Sequence, residues 1–146
     1  MSGELTKVRG TTKTIVSSGA AINSGVMSAA SASSYGTAAD GASYPDAEFV
    51  LTLAFGTAPT VAKTIALYAQ PLDIDGTADS PVPSTTYLQK HIGNFVVSAD
   101  TAQCLIVLRR DVPLLASYYI YNVDTGQTIS AGWTLKVTPV SYAPAA

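Results

Sequence analysis

Cysteine, histidine and tryptophan each occur once in this chain, and charge is scarce, with eight Lys and Arg against ten Asp and Glu in 146 residues. A lone Cys104 excludes an intrachain disulfide framework and any zinc site built from several cysteines. The only imidazole, His91, lies in Leu88-Gln89-Lys90-His91-Ile92. It is expected at a surface or interface rather than as the base that nucleophilic catalysis needs. The nucleophile elbow G-x-S-x-G is missing, and its nearest approach, Gly41-Ala42-Ser43-Tyr44-Pro45, ends in proline. No glycine-rich loop is followed by Lys and Ser or Thr, so no phosphate cradle is present. Charged residues make up 12% of the chain, about half the ~25% of an ordinary soluble domain. A formal net charge of -2 is not the footprint of a nucleic-acid binder.

Long hydrophobic runs are missing too. Ser, Gly and Asn break up residues 14–39, and nowhere does the chain approach the ~18 consecutive apolar residues of a membrane-spanning helix. The start, Met1-Ser2-Gly3-Glu4, lacks the basic-then-apolar order of a secretory signal. The expectation is a protein made in a cytoplasm, with neither a membrane nor a nucleic acid as partner. Glutamate, which exposed helices use heavily, occurs only at Glu4 and Glu48.

What is there is a period of two. Phe49, Leu51, Leu53 and Phe55 alternate with smaller residues, as do Ile65 and Leu67, the signature of strands with one buried face. Residues 117–122 and 133–138 alternate again, and weaker candidates are 12–16, 22–27 and 87–97 with a break near Gly93. Residues 103–108 are apolar on both faces, which predicts a central strand with Cys104 buried and inert. Asp40-Gly41, Tyr44-Pro45-Asp46, Gly56-Thr57-Ala58-Pro59, Asp73-Ile74-Asp75-Gly76 and Asp124-Thr125-Gly126 punctuate these segments as turn chemistry does. A hydrophobic share of 47% supports a packed core rather than disorder. The pattern predicts an all-β chain of about eight strands in a two-sheet sandwich with jelly-roll or Greek-key wiring. Residues 1–17 form an N-terminal arm or first strand and residues 18–146 a single sandwich domain. The Ser/Ala/Gly-rich stretch 17–39 reads as a long uncharged loop without an assigned role, and residues 142–146 read as a loose tail.

Candidate functional residues follow from this frame. Asp73, Asp75 and Asp79 begin like a calcium loop, but the twelfth position is Ser84 or Thr86 rather than the bidentate Glu; solvated turn aspartates are the reading preferred, with no metal and no cofactor. A surface this poor in charge is made of Ala, Ser, Thr, Gly, Tyr and Val, which favours association. Tyrosine outnumbers phenylalanine eight to three and suits half-buried sites where one end of the ring stays wet. Tyr119 and Tyr121 are therefore interface candidates. Arg109 and Arg110 after a strand are candidates for an ion pair between subunits. Glu4, Lys7 and Arg9 precede a β-branched run and mark an arm that would add to the sheet edge of a neighbour.

The order of segments is similar to that of a known group. Phe55-Gly56-Thr57-Ala58-Pro59 leads to Thr64-Ile65-Ala66-Leu67-Tyr68 and an aspartate-rich loop, then Tyr87-Leu88-Gln89-Lys90 and His91-Ile92-Gly93-Asn94-Phe95. Arg109-Arg110-Asp111-Val112-Pro113-Leu114, Tyr118-Tyr119-Ile120-Tyr121-Asn122, Gly126-Gln127 and Ile129-Ser130-Ala131-Gly132-Trp133-Thr134-Leu135 follow. Over residues 48–142 this resembles the small jelly-roll capsid cement, or decoration, proteins of tailed bacteriophages. The resemblance is one of texture and order rather than of a diagnostic motif. It implies a non-enzymatic virion protein on the outer capsid surface, bound to the major capsid protein and to itself as a dimer or trimer, with no catalytic residues to carry over. Two other readings stand beside it: a tail, fibre or baseplate sandwich, and a carbohydrate-binding module using Trp133 and the tyrosines.

Overall fold

The computed structural model describes residues 4–36, 44–72, 80–88, 90–112 and 115–144. Among them are nine strands and no helix: β1 (Leu5–Arg9), β2 (Lys13–Gly19), β3 (Val26–Met27), β4 (Asp46–Ala54), β5 (Thr64–Pro71), β6 (His91–Val96), β7 (Ala102–Arg109), β8 (Ala116–Asn122) and β9 (Trp133–Pro144). They form two antiparallel sheets. One has the order β1-β9-β4-β7, with β2 also on β9, and the other the order β3-β8-β5-β6. Strands β1 and β2 run end to end along one side of β9, since Arg9 faces Val140 and Lys13 faces Val137. Each sheet is therefore four strands wide. The chain changes sheet after β2, β3 and β4, stays in one sheet from β5 to β6, then changes again after β6, β7 and β8.

The period-two pattern decides which side chains enter the space between the sheets. Phe49, Leu51 and Leu53 of β4, Ile65, Leu67 and Ala69 of β5, Tyr118 and Ile120 of β8, and Trp133, Leu135 and Val137 of β9 form one continuous core. Two glycines allow close approach. A β-carbon on Gly19 would lie 1.9 Å from the Trp133 ring, and one on Gly93 would lie 2.6 Å from Val107 Cγ1. Gly93 does not break its strand as the sequence suggested. β6 runs through it, opposite Leu67, with a register shift just beyond, between Leu67 and Tyr68.

Three further expectations are corrected. Among the described residues β7 is an edge strand rather than a central one, with β4 as its only neighbour. Its inward residues, Gln103, Leu105 and Val107, are buried or half-buried, while Cys104, Ile106 and Leu108 point to solvent. An uncharged run from Ala102 to Leu108 shows that neither face is charged there; it does not show that both are covered. The supposed arm is paired within its own chain, because the twelve-residue β9 is long enough for β1 to pair with its C-terminal half. That same pairing holds Tyr142 and Pro144 in β9, so the tail up to that point is a strand.

The serine-rich stretch acquires a structural role. Ser28 and Ser31 donate their backbone N–H groups to the carbonyls of Ile120 and Tyr118. Their hydroxyls accept the N–H groups of the same two residues, at 2.9 and 3.0 Å. Serine side chains thus stand in for backbone acceptors along β8 and continue the edge that the two-residue β3 begins. Buried Asn122 pins the next turn, donating to the carbonyls of Ile22 (3.0 Å) and Gln127 (2.8 Å) and accepting from Thr125 Oγ1 (2.6 Å).

Candidate interaction surfaces

On the outer side of the β3-β8-β5-β6 sheet lies a second, smaller hydrophobic cluster. Ala66, Tyr68 and Tyr119 are buried there, with Met27, Tyr121 and Val123 packed against them. The Tyr68 ring meets His91 edge-on at 5.3 Å and Tyr121 at 6.4 Å. Tyr119 donates its hydroxyl to Gln70 Oε1 at 2.9 Å, and Gln70 in turn donates to the Ser80 carbonyl at 2.9 Å. Burial pushes the hydroxyl pKa of Tyr68 and Tyr119 upward. Residues 25–30 and 82–85 border an open groove of about 590 Å³ with Tyr119 in its wall. As an interface candidate Tyr119 is corrected: it is 6% exposed and consumed by its own chain. Tyr121 remains half-buried and in reach of a partner. His91 is exposed and shares a hydrogen bond with Asn94 Oδ1 at 2.8 Å. Trp133 is buried and donates its indole N–H to the Ala20 carbonyl at 2.8 Å, which removes it as a sugar-stacking platform.

The other sheet gathers the charges. Glu48 on β4 reaches across β9 to two cations on β1: Lys7 donates to Oε1, and Arg9 Nε donates to Oε2 at 3.0 Å. The Arg9 guanidinium and then the Lys7 ammonium hold the Glu48 carboxyl below its usual range. The sequence singled out Lys7 and Arg9 as contacts for a neighbour, but here they serve Glu48. Glu4 is exposed ahead of β1, and no hydrogen bond or ion pair brings it into this triad. Arg109 and Arg110 are exposed at the far end of β7. Arg110 borders a shallow depression with Leu5, Asp46 and Tyr142.

Between those arginines and the preceding turn, the outer face of β7 carries Ala102, Cys104, Ile106 and Leu108, all exposed. Ile106 is 64% exposed and Leu108 43%. Antiparallel pairing continues the stripe onto β4, where Cys104 faces Thr52 and Ile106 faces Val50. The run 103–108, apolar on both faces, carries the sequence signal for this surface, though periodicity alone reads it as burial. Among the described residues no three His, Cys, Asp or Glu side chains gather as metal ligands; Asp73, Asp75 and Asp79 lie outside those residues. No protein-family model, no curated protein and no solved structure matches this chain.

Proposed function

We propose that this chain is a non-enzymatic structural protein that works by surface contact, and that it decorates the outer face of a bacteriophage capsid by binding the major capsid protein. The observation that carries the contact reading is the outward apolar stripe of Ala102, Cys104, Ile106 and Leu108 on an edge strand. A run of side chains like this gains by covering, whereas an isolated exposed apolar residue needs no explanation. The capsid assignment rests on the sequence resemblance. The strand order supports reading the wiring as a jelly roll: two four-strand sheets, with sheet changes at every connection except β1 to β2 and β5 to β6. That architecture hosts many functions, so it adds weight only alongside the resemblance.

The test is copy number in purified virions of the phage that encodes the chain, measured by quantitative mass spectrometry. Hundreds of copies per particle are expected for a shell protein. A few to a few dozen would transfer the protein to the tail, fibre or baseplate, and absence from the particle would overturn the virion reading. Attachment should survive chelator and depend only weakly on salt, since exposed ion pairs contribute about 0–1 kcal/mol each.

A further inference from the structure

Among the described residues the two sheets have four edges, and three of them are blunted in ways that discourage pairing. The β1–β2 edge is interrupted at residues 10–12, has two register shifts against β9 and carries Lys7, Arg9 and Lys13. The β3 edge is two residues long and continues as a stretch where serine side chains replace strand geometry. The β6 edge is six residues, with a register shift against β5 and a preceding Lys90 at positive φ. The β7 edge has none of these devices. Its eight residues pair with β4 in unbroken register, and Ala102 to Leu108 includes no Pro, Gly, Lys or other charge.

Charge is confined to the two ends of this edge, and its sign differs between them. Asp100 precedes the strand, and Arg109 and Arg110 close it, followed by one anion, Asp111, which leaves that end with an excess of one positive charge. A strand with an anion at its start and cations at its end is complementary to an antiparallel copy of itself. We propose that β7 pairs antiparallel with β7 of a second copy of this chain, about a two-fold axis through Leu105. This inference rests on the reading of the β7 face as a contact surface. In that register Ala102 faces the second copy's Leu108, Cys104 faces Ile106, and Asp100 faces Arg110. Because directly opposed residues in an antiparallel pair lie on the same face of the sheet, the two outer apolar stripes join into one. The inward residues Gln103, Leu105 and Val107 stay on the core side. The β1-β9-β4-β7 sheets of two molecules become a single sheet, closed by two-fold symmetry and so self-limiting.

The experiment is sedimentation equilibrium on the purified full-length protein, with circular dichroism to check that each variant folds. Wild type should be a concentration-dependent dimer. Ile106→Lys should weaken it several-fold, because the dimer loses two cross-strand apolar pairs, each between Ile106 and the second copy's Cys104. Asp100→Arg and Arg110→Asp should each weaken it, and the double variant should return toward wild type, because the swapped charges again face each other. Ile106→Cys under mild oxidation should cross-link to Cys104 of the other copy, identified by peptide mass. A monomer at every concentration, a dimer indifferent to Ile106→Lys, or a double swap no better than the singles would overturn the proposal. So would capture of the major capsid protein by a monomer in an Ile106→Lys-sensitive manner, which would give the edge to the shell instead. A monomer abundant on virions would remove the pairing and keep the capsid function; a β7 dimer absent from virions would do the reverse.

Discussion

Tyr118 is the one buried side-chain polar atom without a hydrogen-bond partner among the described residues. Its ring packs on Phe49 at 5.0 Å, and burial drives the phenol pKa far upward. An unpaired buried hydroxyl costs about 1–3 kcal/mol, so Tyr118→Phe should raise stability by about 1 kcal/mol, read from urea denaturation. Glu48 shows the opposite situation. Its lowered pKa means that the native state favours the carboxylate, so the stabilisation is complete above the ordinary value of 4.5 and lost as pH falls through the lowered native value. Glu48→Gln should cost about 1 kcal/mol or less near neutrality, since the site is partly screened by solvent. The Tm gap between variant and wild type should shrink in acid. Cys104 is exposed, so it should react with a thiol reagent in the native protein without unfolding.

At the scale of elements, Gly93 and Val107 couple the two sheets where β6 passes β7. Gly93→Ala drives a methyl into Val107 Cγ1, and overpacking of this kind costs about 1–3 kcal/mol. Combining it with Val107→Ala should recover part of that loss, so the double-mutant cycle in urea should show a clear favourable coupling. Strand β1 makes five paired positions with β9 and supplies both cations to Glu48. Deleting residues 1–9 should therefore lower stability by about 2–4 kcal/mol, from lost ladder hydrogen bonds at about 0.5–1.5 kcal/mol each. An arm that served only a neighbour would leave the isolated fold unchanged, so a denaturation midpoint separates the two roles.

For the whole molecule, almost every pairing joins distant parts of the chain: β1 and β2 close on β9, and β4 pairs with both β7 and β9. Loop-closure entropy is lost before such contacts form, and folding in roughly milliseconds to seconds is expected of this topology. Stopped-flow tyrosine and tryptophan fluorescence would measure it; a microsecond phase carrying the full amplitude would contradict the assembly order the sheets require. Far-UV circular dichroism should show a strand spectrum without the double minimum of helix. The exposed stripe on β7 makes solubility depend on what covers that edge, so Ile106→Lys should also reduce aggregation of the refolding chain.

Alternation at 49–55, 64–69, 117–122 and 133–138, together with turn residues between them, determined that the chain is all-β and which side chains enter the core, because pleat geometry fixes the period at two. Local chemistry also placed the Asp124-Thr125-Gly126 turn, where Asp124 accepts the Thr64 N–H and pairs with Lys63. What covers the second face of each strand was decided only by tertiary structure. Tyr119 is buried because Ala66, Tyr68 and Met27 cluster with it on the outer side of their sheet and Gln70 takes its hydroxyl, while Cys104, Ile106 and Leu108 are exposed on the outer face of β7. Lys7 and Arg9 meet Glu48 across β9, some forty residues away in sequence, a meeting set by the strand order rather than by any local pattern. Periodicity reports the direction in which a side chain points; only the packing of distant strands decides whether anything lies there.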